Sequence, residues 1–434
     1  AKALVTYVLK HINLDNLRPQ HGPGSVAGSE GVVGKRKLPH SFERLERYFR
    51  PIPFFFSLRD ASEDPQRITT RPKTEYGLSR MTFVEKDSGG PRVISLEESE
   101  YQWCQQALKR ALYDHLESHK LTRGHVNFTD QMVNRELARL WKDFDTLDMS
   151  KASDRLSLEL VEYLFGDTPI LGWLLASRSP GTRLPSGAVL WFKKFAPMGS
   201  ATCFPVEALV FWALAVGALW SSGYPLHLAL KRVYVYGDDL IIPHGFYATI
   251  APLFEHCSLK FNEAKCCVSG KFRESCGLDA FDGHDVTPTR LRKDKLTPSI
   301  SSLIPLVEHS NWLYVKGYWA AARELRRLLR EKHPQGNLPE TTTPLPILSY
   351  LSDKDTYVSK TRNSIRFVNG WVVSASKVTA NAADEEKYLR ESLALGGPVG
   401  TLQARGGEVK RMLTRKYLFK MRKRWVPFQP GEIQ

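Results

Sequence analysis

VYVYGDDLII, residues 233–242, is the stretch on which the fold turns. Two short β-favouring apolar runs, Val233–Tyr236 and Leu240–Ile242, flank Gly237-Asp238-Asp239. This pattern predicts a β-hairpin, with glycine supplying the backbone freedom a tight turn needs. The turn sets two carboxylates at the tip of an otherwise apolar hairpin. Adjacent anions repel and folding alone does not ask for them, whereas a divalent cation would neutralise both. A bare Gly-Asp-Asp is equally compatible with an ordinary acidic turn.

Upstream, FDTLDMSKASDRLSLELVEYLF (144–165) reads as a short strand ending at Asp148. A helix then starts near Ser153 or Asp154, either of which is a candidate cap. Strand C-termini are where side chains converge on sites in open α/β sheets. With Asp148 beside the hairpin tip, Asp148, Asp238 and Asp239 would form an all-oxygen site for two Mg²⁺ ions. Such a pair, about 3.5 to 4 Å apart, activates a hydroxyl and stabilises the leaving oxygen in phosphoryl transfer. Asp154 taken alone is also a simple helix N-cap. Between these segments, FAPMGSATCFPVEALVFWALA (195–215) is a Gly-Ser loop feeding an apolar helix. Glu207 is expected in the first turn of that helix, where the dipole favours an acid. The apolar surroundings predict a specific partner for it as well.

The wider chain sets the class. Its 434 residues hold 61 Lys+Arg against 46 Asp+Glu, a net charge of +15, and 42% are hydrophobic, enough for a sizeable core. That charge favours a polyanionic partner, nucleic acid before membrane. The longest apolar run, Ala208–Trp220, is short of the roughly 20 residues a spanning helix needs and reads as a buried helix. No signal peptide is recognised at the start, and an initial Ala in place of Met suggests a trimmed chain or a fragment. Six cysteines without a C-x2-4-C pair argue for buried thiols in a reducing compartment rather than disulfides or zinc.

Helices are expected over 100–117, 157–165 and 306–332, short strands within 181–196, and a Pro/Thr loop over 333–346. Residues 21–37 read as a flexible basic loop, and Phe54–Phe56 as core. KRMLTRKYLFKMRKRW (410–425) has eight cations and no acid, which suits RNA contact or a solvated helix face. A catalytic block of about residues 140–285 would lie between basic lobes.

Taken in order, Asp148-x5-Asp154, Met198-Gly199-Ser200 with downstream Glu207, and Tyr236-Gly-Asp-Asp239 resemble the palm of a viral RNA-directed RNA polymerase. FRESCG (272–277), DVTP (285–288), HGPG (21–24) and PVEALVFWA (205–213) resemble the replicase beta subunit of the positive-strand RNA bacteriophages, the leviviruses. The resemblance covers roughly residues 20–295.

It implies an α+β right-hand polymerase with an antiparallel palm sheet carrying the aspartates. Fingers would occupy 1–140, palm 141–180 and 196–288, a fingers insert 181–195, and a mostly helical thumb with a basic C-terminal region 289–434. Asp148, Asp238 and Asp239 would hold two Mg²⁺, with Mn²⁺ as a substitute. Asp154 and Glu207 would sit near the incoming ribose, with Asp154 accepting from the 2′-hydroxyl. Gly199 and Ser200 would form a loop under the template–nucleotide pair. In FVEKDSGGPRVI (83–94), Lys86 and Arg92 would hold the triphosphate. Lys265 would protonate pyrophosphate, or be an ordinary solvated lysine. The chain departs from the pattern at Leu96-Glu97-Glu98, where a Lys-Glu-Pro segment is usual, so a cation near the triphosphate is missing.

The implied partners are single-stranded RNA, ribonucleoside triphosphates, host elongation factors Tu and Ts and a ribosomal protein, with no membrane. The implied setting is the cytoplasm of an infected bacterium. Basic residues Arg290, Arg292, Lys293 and Lys295 would follow RNA phosphates. Two other readings stay open: a reverse transcriptase, which would block the 2′-hydroxyl with a bulky residue, and a non-catalytic RNA-binding protein with a polymerase fold.

Overall fold

The computed structural model describes residues 1–22, 24–27, 38, 40–56, 72–87, 90–289, 291, 300–377 and 417–428. The chain divides into two compact units, Ala1–Thr287 and Pro288–Gln434, of mixed α+β structure with mainly antiparallel sheets. Arg290, Arg292, Lys293, Lys295, most of the basic loop at 21–37 and residues 410–416 lie outside the described residues.

In the first unit the principal strands are β1 (Ser79–Asp87), β2 (Gly90–Leu96), β3 (Val126–Asn127), β4 (Phe144–Asp148), β5 (Gly181–Arg183), β6 (Val189–Trp191), β7 (Tyr234–Tyr236) and β8 (Asp239–Pro243). A meander, β9 (Phe272–Ser275), β10 (Leu278–Phe281) and β11 (His284–Asp285), follows them. Its helices include α1 (Ser99–Ser118), α2 (Ala152–Arg155), α3 (Leu158–Phe165) and α4 (Cys203–Ser221).

Helix α4 organises this core. It is apolar around its whole circumference, the signature of a helix enclosed by protein. Fifteen of its residues are buried, among them Phe211, Trp212 and Leu219. By length and composition it would cross a membrane, yet 83% of its apolar window is buried inside the protein, as expected of a core helix.

The sheet beside it runs β3-β7-β8-β4. β7 and β8 form the expected hairpin and β4 pairs antiparallel with β8, but β3 lies parallel to β7, correcting a wholly antiparallel expectation. Parallel neighbours need a long crossover. Here the chain between β3 and β7 includes α4, so it re-enters the sheet in the same direction. A second sheet, β2-β1-β5-β6, joins the 79–96 hairpin to the 181–191 strands.

Two local expectations are corrected. Neither Ser153 nor Asp154 caps a helix: both lie inside the single-turn α2, entered through Lys151 at φ 54. Ser157 caps instead, its Oγ accepting the Leu160 N–H at 3.1 Å, because it directly precedes the longer apolar α3. Glu207 falls in the second turn of α4, since that helix begins at Cys203. Phe56 is buried, and Phe54 and Phe55 pack partly buried on the same core.

In the second unit, α5 (Ile300–Val315) and α6 (Trp319–Lys332) are separated by a turn with Gly317 at φ 83, so the 306–332 block is two helices. Leu303, Leu306, Val307 and Leu329 form a small core with Tyr350. Buried Arg326 donates to Ser310 Oγ and the Leu351 carbonyl. A short parallel pair, β12 (Glu340–Thr341) and β13 (Tyr350–Leu351), leads to an antiparallel sheet of β14 (Val358–Arg362), β15 (Ile365–Lys377) and β16 (Tyr417–Phe428). Among its described residues the unit carries as much strand as helix, and the described part of the 410–425 cationic stretch is strand, not a helix face. In β16, just past that stretch, the apolar residues Val426 and Phe428 fall two apart, which matches a strand's alternation.

Candidate active site

The β7–β8 turn is fixed from beneath. Gly237 adopts φ 64, and a Cβ there would lie 1.9 Å from Cε2 of Phe204, the second residue of α4. The Phe204 ring also meets Tyr236 edge-on. Glycine is required both for the left-handed turn and for this contact. Asp238 occupies the turn, exposed, and Asp239 opens β8 directly opposite Asp148 at the end of β4. Paired residues of a ladder present side chains on the same face. The three carboxylates are therefore gathered on two adjacent strand ends and the turn between.

Each β-strand aspartate has a donor. Asp239 Oδ2 accepts the Cys276 N–H at 2.8 Å and Ser275 Oγ at 3.3 Å. Asp148 Oδ2 accepts Asn262 Nδ2 at 2.9 Å, with Lys265 Nζ at 3.8 Å. Burial raises Asp239 above the usual carboxylate range and Asp148 adds to the rise, while the Cys276 and Ser275 donors oppose it. Asp238 is raised by the surrounding protein, then by Asp239 and Asp148, and lowered by Arg92. These neighbours disfavour simultaneous ionisation. Among the described residues no three His, Cys, Asp or Glu side chains converge into a ready-made metal cage.

Arg92, exposed on β2, is thus close enough to act on Asp238. Lys86 lies on β1, its side chain outside the described residues. The Met198-Gly199-Ser200 loop is tied to this hairpin and to α1. Ser95 N–H donates to the Met198 carbonyl at 2.9 Å. Gly199 has φ 120, and a Cβ there would lie 2.0 Å from the Ser95 carbonyl oxygen. Gln105 of α1 accepts Ser200 Oγ at 3.2 Å and the Ala201 N–H at 3.1 Å.

Glu207 is buried beneath the turn, with Cys203 Sγ 3.6 Å from its Oε2. Burial, then the charge of Asp238, pushes its carboxyl up to about 8, so it holds its proton at neutral pH. Asp154 stands apart from the carboxylate trio in its contacts: it pairs at 2.5 Å with Lys194, from the chain leaving β6. At Leu96-Glu97-Glu98, Glu97 is buried against Ser179, while Arg80 and Arg183 act on Glu98. Arg80 is the cross-strand partner of Leu96 and of Arg183, so two cations stand beside the position lacking one.

Several residues of this framework escaped the sequence reading. Asn262, Ser275, Cys276 and Gln105 position acids or the loop through contacts far apart in the chain. Arg273 and Asp145, both fully buried, hold β9 to β4. The Arg273 guanidinium donates to Asp145 Oδ1 at 2.8 Å and to the carbonyls of Phe144 at 2.6 Å and Trp141 at 2.9 Å. The one available signal was FRESCG, whose arginine had no assigned task.

A family described as RNA replicase, beta-chain, matches residues 58–332, more than half of the chain. The chain belongs to this family. Among relatives, the RNA-directed RNA polymerase subunit beta of Escherichia virus Qbeta is 29% identical over 67% of this chain and 48% of its own length. That of Enterobacteria phage SP is 34% identical over 56% and 40%. The chain spans about half the length of the curated relatives it matches. Among solved structures, an insertion-loop deletion mutant of the RNA-dependent RNA polymerase of a human picorbirnavirus is 14% identical. It covers 60% of this chain and 58% of its own at a TM-score of 0.41.

Proposed function

We propose that this chain is the catalytic part of an RNA-directed RNA polymerase that copies a single-stranded phage RNA genome. The observation carrying this is the Asp148–Asp239 cross-strand pair with Asp238 in the adjoining turn, on a chain of the replicase beta-chain family. The donor set fits a divalent metal: all oxygen, mutually repelling, and raised in pKa first by burial and then by neighbouring carboxylates. Asp148, Asp238 and Asp239 would hold two Mg²⁺, with Mn²⁺ as a substitute. When bound, the ions supply positive charge at the reacting phosphate and the departing oxygen.

The chain's own groups do the rest. The 3′-hydroxyl of the growing strand, giving up its proton to solvent, attacks the α-phosphorus of a template-paired ribonucleotide. The new P–O bond forms as the bond to the pyrophosphate oxygen breaks. Arg92 and Lys86 would pair with the triphosphate. Arg92's effect on Asp238 supports its part in this, and Arg80 with Arg183 would offset the cation missing at Leu96. Lys265, within 3.8 Å of Asp148, would give a proton to pyrophosphate. Asp154 would accept from the ribose 2′-hydroxyl, and Gly199 and Ser200 would support the nascent pair. Glu207, buried beneath the turn, would sit near the incoming ribose.

The right-hand plan follows as part of the same reading. The β3-β7-β8-β4 sheet would be the palm, residues 141–180 and 196–288. Residues 1–140 and 181–195 would be fingers, supported by β5 and β6 joining the β1–β2 sheet. Residues 289–434 would be the thumb and basic C-terminal region, supported by the division after Thr287. The relatives' hosts support the cytoplasm of an infected bacterium as the setting. Elongation factors Tu and Ts and a ribosomal protein would be host partners.

The test is ribonucleotide incorporation on single-stranded RNA with Mg²⁺ or Mn²⁺, comparing wild type with Asp238→Ala, with and without host factors. Template-dependent synthesis that vanishes in the variant is expected. RNA binding without synthesis in any metal, host factors present, would leave a non-catalytic RNA-binding protein. Preferential use of deoxynucleotides would indicate a reverse transcriptase.

A further inference from the structure

The second unit carries a feature the polymerisation chemistry does not use. Strands β14, β15 and β16 together contain eight cations and no acid. Their register separates the residues by face, since side chains alternate along a strand and paired residues share a side. Lys360 pairs with Phe367, Arg362 with Ile365, Val358 with Asn369, and Asn369 with Trp425. Lys423, two residues before Trp425, falls on the same face. The opposite face near this end is closed: Val368 and Phe428 pack with Leu345 and Ile347.

The first face is open at the same end. Lys360, Arg362 and Lys423 are exposed there. Val358 is 62% exposed, Ile365 40% and Trp425 37%. The Lys360 ammonium lies 4.1 Å from the centroid of the Trp425 ring, spanning β14 and β16 across β15. Across the sheet this combines a flat aromatic ring, an ammonium over it, further cations on either side and no carboxylate on any of the three strands.

We propose that this face is a second, non-catalytic RNA site that binds single-stranded RNA, with Trp425 stacking an unpaired base and Lys360, Arg362 and Lys423 pairing with the phosphates. The choice of RNA rests on the polymerase reading above. The charge selects a polyanion, and the exposed ring selects one with accessible base faces, which single strands present and duplexes do not. Lys360 then exchanges its contact with the ring for a phosphate as the base arrives.

The experiment measures affinity of the full chain for a labelled 15-nucleotide single-stranded RNA and its duplex across a salt series. Trp425→Ala is expected to weaken single-strand binding about tenfold, with Trp425→Phe retaining most of it and duplex binding unchanged. A combined Lys360→Gln, Arg362→Gln and Lys423→Gln variant should lower the salt slope by about 2. Lys360→Gln alone, on an edge strand with all five residues exposed, guards against misfolding and should weaken binding in the same direction.

Single-strand affinity and salt slope unchanged in every variant would overturn the proposal and leave the face to an acidic protein partner. Equal loss on duplex RNA in Trp425→Ala would overturn it too. Synthesis at saturating template is expected to persist in Trp425→Ala, and RNA binding to persist in Asp238→Ala. If wild type makes no RNA yet binds in a Trp425-dependent way, the polymerase reading fails and this one stands.

Discussion

Arg273 lies 2.8 Å from Asp145 through its Nη2, and neither side chain reaches solvent. The same guanidinium ties down backbone carbonyls of β4 and the loop before it, while Asp145 also accepts from His244 Nδ1 at 2.7 Å and the Gly245 N–H at 2.9 Å. Arg273→Ala leaves a buried carboxylate without its cation and is expected to cost about 3–5 kcal/mol in urea unfolding. Because Cys276 N–H holds Asp239, incorporation by the fraction still folded should fall as well. A loss under 1 kcal/mol would mean that β9 is anchored some other way.

Gly237 meets two demands at once, the left-handed backbone and the Phe204 ring against its α-carbon. Gly237→Ala is expected to destabilise by about 2–4 kcal/mol, from backbone strain together with overpacking. Adding Phe204→Ala should recover only the packing share. Full recovery in the double variant would show that the turn tolerates an ordinary residue.

Burial pushes the Glu97 carboxyl from 4.5 up to about 7, against the opposing effects of the Ser179 bond and the Arg178 charge. The folded chain keeps this proton where the unfolded chain has released it. The stabilisation is therefore complete below pH 4.5 and is lost as pH rises to about 7. Glu97→Gln stays neutral throughout, so its stability relative to wild type should rise across that window. The gain above pH 7 is expected to be on the order of 3 kcal/mol. A parallel pair of pH profiles would rule Glu97 out as a source of pH sensitivity.

On the proposed reading Asp154 would bear on sugar choice, with Lys194 as its tether at 2.5 Å. Asp154→Ala is expected to reduce the preference for ribo- over deoxynucleotides about tenfold, the worth of a charge-assisted hydrogen bond. Lys194→Ala leaves the carboxylate but removes its tether, and should reduce the preference less. Single-nucleotide kinetics with both sugars decides this. An unchanged ratio in both variants would remove Asp154 from sugar recognition.

What was legible in advance was whatever local chemistry writes into a short window. The alternation around Gly237 announced the hairpin, and the apolar run after Met198 announced a buried helix. The Asp148 strand end was visible for the same reason. Contacts made by backbone groups or by distant neutral side chains left no such trace. Nothing near Asp239 in sequence points to the Cys276 N–H, and nothing near Ser200 points to Gln105. The cap at Ser157 was missed because Ser153 and Asp154 have the right chemistry one turn too early. At the C-terminus, dense cations masked the two-residue alternation of a strand. The β3–β7 parallel pair depends on chain path, which no local pattern encodes.

The strand order β3-β7-β8-β4, with β9 locked onto β4, also sets a schedule. Asp148 is synthesised long before Asp238, and the donor that holds Asp239 comes later still, at Cys276. A chain emerging N-terminus first has no assembled carboxylate trio until that last segment has left the ribosome. Helix α4 emerges before β7 and β8, two of the strands that pack on it, so its apolar surface is exposed until the hairpin follows. On the proposed reading, chemistry at this centre would wait until the ribosome has passed Cys276, whose backbone N–H holds Asp239.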